Sequence, residues 1–115
     1  MLVFAATLFA VAALGGVVMA YIHFRKDRNP PGWLAVLHGL ASASAVLALM
    51  WVVAFSGRVG LVGWALILFL LAALGGFFLA SFHLRRRRLP GSWVVVHALV
   101  AVGAFGLLLA GMIAG

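Results

Sequence analysis

Four uncharged apolar stretches, Met1–Phe24, Trp33–Ser56, Val59–Leu84 and Trp93–Gly115, take up almost all of this 115-residue chain. Crossing a bilayer core as a helix takes roughly 20 apolar residues, so each stretch is long enough to span once. With 68% hydrophobic and 8% charged residues, no globular core of this size could hide the apolar surface from water, and lipid must be the solvent. The expected fold is all-α, an integral membrane four-helix bundle. Any chemistry must sit inside that bundle or on its two short faces. The first stretch has no basic start and no Ala-x-Ala pattern, and its charges follow the apolar run, so it is expected to stay attached as a span.

Charge sets the expected orientation. The formal charge of +7 is concentrated in two short segments, Arg25–Arg28 and Arg85–Arg88, which hold seven of the eight Lys and Arg residues; only Arg58 lies in the middle loop. Basic residues squeezed between spans follow the positive-inside rule rather than a nucleic-acid footprint. Both hairpin loops are therefore expected in the cytoplasm, the termini on the non-cytoplasmic side, and the chain in a bacterial inner membrane. Trp33 and Trp93 mark one interface, and Trp51 and Trp64 the other.

The two halves resemble each other. Aligning Leu8 with Leu68 sets LFAVAALGGVVMAYIHFRKDRNPPGW against LFLLAALGGFFLASFHLRRRRLPGSW, identical at 13 of 26 positions without a gap. After the tryptophans the match slips by one, because His38 is five residues beyond Trp33 and His97 four beyond Trp93. We expect two tandem hairpins, residues 1–57 (helices about 2–28 and 31–55) and 58–115 (helices about 60–88 and 91–114). Each copy crosses twice, so they form a parallel repeat about an axis along the membrane normal. Pro30-Pro31 and Pro90 break the chain within each loop.

The four histidines, His23, His38, His83 and His97, fall one to each helix. With helix rise at 1.5 Å per residue, they are expected roughly 7–11 Å from the hairpin tips, in one layer. An imidazole in a membrane span is costly unless paired or ligated, and marks a functional site. The competing account makes them interfacial side chains bonded to headgroups or loop carbonyls. At helical spacing, Ala20 and Gly16 lie behind His23, and Ala80 and Gly76 behind His83. Small faces leave room for a flat macrocycle, although Gly and Ala at such spacing also let bare helices approach closely.

The segments WLAVLHGLASASAVLAL and WVVVHALVAVGAFGLLL resemble the haem-ligating helices of membrane b-type cytochromes; otherwise the chain is similar to small bacterial membrane proteins of two hairpins. The cytochrome resemblance covers about a third of the chain. It implies haem b held by two histidines, and electron transfer with a quinone or other redox partner. His38 with His97 is the favoured ligand pair for the haem iron; the other symmetric options are His23 with His83, or one haem per hairpin. Gly16 and Gly76 would line the site. The chain departs from the commonest cytochrome pattern, in which haems lie near both faces, since no histidine is near the far side.

Other readings remain open at this stage. Four imidazoles could hold Cu or Zn, although no carboxylate supports them. The run Arg85, Arg86, Arg87, Arg88 could bind anionic lipid in an accessory or structural subunit without a cofactor, each basic residue contributing on the order of 1 kcal/mol at an anionic leaflet. A homo-oligomer or a larger membrane complex would use the remaining helix faces. A small transporter would have to use histidine, because Asp27 is the only acid. No acid pair, Ser-His-Asp set or phosphate loop points to an independent enzyme; at most the chain is a redox carrier.

Overall fold

A computed structural model of the protein describes residues 1–114. It consists of four helices, α1 (Leu2–Arg25), α2 (Gly32–Ser56), α3 (Leu61–Leu84) and α4 (Gly91–Ala114). All four are long and apolar enough to cross a membrane. The molecule is a bundle of 43 × 19 × 19 Å, a length close to the roughly 40–45 Å of a bilayer with its headgroups. Each helix packs most extensively on its hairpin partner, α1 on α2 and α3 on α4, and the ring closes through α2 with α3 and α1 with α4.

The first and third helices stop short of the expected ends near residues 28 and 88. Asp27 and Arg86 both take φ of +54°, the left-handed conformation that ends a helix. At α3 the amides of Arg86 and Arg87 donate to the carbonyls of His83 and Phe82 at 3.1 and 2.8 Å, which satisfies two open acceptors of the last turn as a Schellman motif. At the opposite end of the bundle, Gly57 and Gly60, both at φ +66°, turn the chain from α2 into α3, where a residue with a Cβ would be strained.

Structural features recur at two intervals. Along α1 and α3 the buried residues Ala5 and Ala65, Phe9 and Phe69, and Ala12 and Ala72 stand 60 apart. From the left-handed residues Asp27 and Arg86 through the helix starts at Gly32 and Gly91 to the buried Ala45 and Ala104, and Leu49 and Leu108, the interval is 59. The one-residue slip therefore lies between the loop-end histidines and the left-handed residues, not after the tryptophans as the gapless match suggests. Trp33 is the second residue of α2 and Trp93 the third of α4.

The interior of the far half is built from Ala5, Ala45, Ala65, Ala104, Leu49 and Leu108, all fully buried. Alanine at these positions lets the helix backbones approach closely, which is the main source of cohesion where lipid is as apolar as the side chains. Phe9 and Phe69 stack across the centre of the bundle, centroids 3.6 Å apart and planes within 5°. They join the diagonal helices α1 and α3, whose backbones do not meet. Large apolar residues such as Leu14, Leu47, Leu74 and Leu99 face outward, as a lipid-solvated surface requires.

Candidate functional site

Toward the hairpin loops the bundle interior becomes polar. His38 of α2 donates from Nδ1 to the carbonyl of Ala12 on α1 at 2.8 Å. His97 of α4 makes the corresponding bond to Ala72 of α3 at 2.9 Å. A helix carbonyl already accepts the amide four residues on, and its second lone pair is free to accept another donor. The side chain at that fourth position normally leans back over it. Here the position is Gly16 for Ala12 and Gly76 for Ala72. A Cβ at Gly16 would lie 3.2 Å from Cε1 of His38, and one at Gly76 3.3 Å from Cε1 of His97. The two glycines are thus the notches through which the imidazoles reach the backbone.

Because a carbonyl only accepts, each Nδ1 carries the proton and each Nε2 of the neutral ring keeps its lone pair. The two rings, on diagonal helices, stand 6.3 Å apart between centroids and at 81° to one another. Two imidazoles bound to one ion at about 2 Å each, with roughly half a ring's width added on either side, have centroids about 6 Å apart. A metal-bound histidine commonly donates its other nitrogen to a backbone carbonyl, which fixes the tautomer and the ring orientation. The centroid separation matches that of a bis-imidazole ligand pair, and no acid is available to supply a third ligand from the interior.

The other two histidines do not join this pair. His83 Nε2 donates to the carbonyl of Pro30 in the first loop at 3.0 Å. His23 is buried at 4% exposure, lies edge-on to Phe24 with centroids 4.6 Å apart, and leaves Nδ1 without a partner. The expected single layer of four imidazoles is not formed. Among the described residues no three His, Cys, Asp or Glu side chains gather as metal ligands would, which removes the geometry for a four-imidazole Cu or Zn centre. The reading of Gly16 behind His23, and Gly76 behind His83, is corrected as well, since the glycines serve His38 and His97 across the helix interface.

The arginine run divides in two. Arg85 folds back on α3, bonding to the Ser81 carbonyl and hydroxyl at 3.2 Å each and lying 4.7 Å over the Phe82 ring. Arg88 crosses to the first hairpin, where it meets Asp27 at 3.2 Å and the His23 carbonyl at 2.8 Å. Arg86 and Arg87 make no side-chain bond among the described residues and remain open to a partner. The basic loops are also joined by Asn29, whose side chain donates to the Arg87 carbonyl at 2.7 Å and accepts from the Leu89 amide at 3.0 Å. Sequence reasoning passed over this residue, although it is the only asparagine in the chain and follows the charged turn. The carbonyls of Ala12 and Ala72 were also missed; the duplicated Gly-Gly pairs were the available signal.

Comparisons with protein-family models, with curated proteins and with solved structures find no match to this chain.

Proposed function

We propose that the protein is a membrane electron carrier that holds haem b through His38 and His97. The carrying observation is the pair of imidazoles with centroids 6.3 Å apart, each with Nδ1 anchored to a carbonyl of the neighbouring helix, which leaves Nε2 free of that bond. Haem would supply one-electron chemistry; the chain supplies two neutral nitrogens of fixed orientation in an apolar surround. Its redox partner would be a quinone or another membrane protein. The same reading takes the chain as two tandem parallel hairpins with loops in the cytoplasm and termini outside, in a bacterial inner membrane. The recurrence at 60 and 59 residues and the basic loops support that topology. The test is a visible spectrum of protein purified in mild detergent after expression with haem supply. A sharp reduced α band, lost in the His38→Ala, His97→Ala double variant, is expected; a colourless, folded preparation sinks the proposal.

A second reading is supported by the free guanidinium groups of Arg86 and Arg87: an accessory subunit that binds anionic lipid without a cofactor. It predicts that phosphatidylglycerol or cardiolipin copurifies, and that neutralising these two arginines releases it.

A further inference from the structure

The diagonal helices α2 and α4 present outward faces that are equivalent in place and opposite in size. The interval of 59 residues that relates Gly32 to Gly91 and Ala45 to Ala104 also pairs Ser44 with Gly103, Leu47 with Gly106 and Trp51 with Ala110. At spacings of three and four, the three positions share one face of each helix, and all six residues are exposed. On α2 the face is a ridge, with Leu47 at 65% and Trp51 at 54% exposure and Trp51 steadied by Phe55, ring centroids 4.3 Å apart. On α4 it is a furrow.

Nothing within the chain fills the furrow, since no atom lies within 4 Å of a Cβ built on Gly103 or Gly106. By contrast, Gly16, Gly76 and Gly111 each receive a side chain from a neighbouring helix, His38, His97 and Val62. Glycine is the poorest helix former after proline, and in a membrane that weakness is offset where another helix comes close. Ser44 is an independent sign. The hydroxyls of Thr7, Ser56 and Ser81 each bond to a carbonyl three or four residues back, whereas that of Ser44 makes no hydrogen bond among the described residues. It lies halfway along α2, at a depth where a bilayer has no water to replace the missing partner. Its equivalent, Gly103, has no side chain to lean over the Leu99 carbonyl four residues back, whose second lone pair is open to a donor.

The occupant that matches both faces is a second copy of the chain. α2 and α4 both run from the loop end to the far end, so in copies standing side by side the paired positions keep the same depth. The two helices do not meet within the chain, and their outward faces point to opposite sides. We propose that copies associate with α2 of one against α4 of the next. Leu47 and Trp51 seat over Gly106 and Ala110, and the Ser44 hydroxyl donates to the Leu99 carbonyl. The contact is heterologous, so every copy in a pair still has one ridge or one furrow free and rows longer than two form. His38 and His97 are bonded inside the bundle and take no part, so the association does not depend on haem.

The test uses the full chain in liposomes of phosphatidylcholine and phosphatidylglycerol. Leu40 and Leu99, both exposed and 59 residues apart, extend the two faces by one turn. Because the chain has no cysteine, Leu40→Cys and Leu99→Cys are prepared as single variants and oxidised with copper phenanthroline. A mixture should give the disulfide between unlike variants, and either variant alone far less. Gly106→Leu fills the furrow and meets nothing in its own chain. It should weaken association about tenfold, measured by energy transfer between labelled chains on dilution with lipid. Like cysteines that crosslink as readily as unlike ones overturn the proposal. So does unchanged association in Gly106→Leu, or a wild-type chain that is monomeric at every dilution.

Discussion

Asn29 and Arg88 occupy the same place in the two loops, each two residues past a left-handed residue, and each reaches across to the other hairpin. Asn29 binds the backbone of Arg87 and Leu89; Arg88 binds Asp27 and the backbone of His23. With the bond from His83 to Pro30, these contacts stitch the hairpins together at the loop end. The far end is held by apolar packing, alanines together with Leu49, Val62 and Leu108. Asn29→Ala removes a donor and an acceptor together, and we expect a loss of about 1–3 kcal/mol, measured by thermal or denaturant unfolding in detergent.

Within the clasp the ion pair matters less than the carbonyl bond. The Arg88 and Asp27 side chains are 43% and 95% exposed, and pairs so solvated contribute about 0–1 kcal/mol. Asp27→Asn should therefore be nearly neutral to stability, and Arg88→Gln distinctly worse, because it also abandons the His23 carbonyl. Equal effects of the two variants in the same unfolding assay would contradict this ranking.

The glycine notches give a prediction specific to the histidine pair. Gly16→Val or Gly76→Val places a branched side chain where the imidazole must pass, given only 3.2–3.3 Å of clearance for a Cβ alone. On the proposed function, haem content should fall sharply in either variant, while Gly39→Val, with no neighbour within 4 Å, should leave it unchanged. Pyridine haemochrome absorbance per chain is the readout.

Phe9 and Phe69 tie the diagonal helices, so their truncations should not be additive. Each Phe→Ala change should cost about 3–5 kcal/mol by the cavity it leaves. The double variant should cost less than the sum by about 0.5–1.5 kcal/mol, the coupling of a stacked pair. A double-mutant cycle of unfolding free energies measures it; strict additivity would deny that the rings meet.

The absence of cysteine makes topology directly testable. Single variants Arg28→Cys and Val59→Cys lie in loops at opposite ends of the bundle. In intact cells a membrane-impermeant maleimide should label the second and spare the first. The reverse pattern would invert the proposed orientation.

Much of the fold was legible before any coordinates. Hydropathy located four helices long and apolar enough to span, and proline marked the loops, since each of these is a local property of a short segment. Helix ends were placed three to four residues too far along, because nothing in Arg-Lys-Asp-Arg or in four successive arginines announces a left-handed residue. The pairing of His38 with His97 was expected from the equivalence of their helices and the greater depth of their histidines; its anchor on Ala12 and Ala72 was not.

The amino-acid sequence by itself determined that this chain is a membrane bundle of four helices with a histidine on each. Apolar length and charge placement act segment by segment and tolerate any helix rotation. Only the tertiary structure decided which two histidines face each other, because that depends on which helix faces pack. The notches at Gly16 and Gly76 admit the rings of His38 and His97. His23 and His83, seven residues beyond those notches, pack at the loop end instead, His23 against Phe24 and His83 on the Pro30 carbonyl.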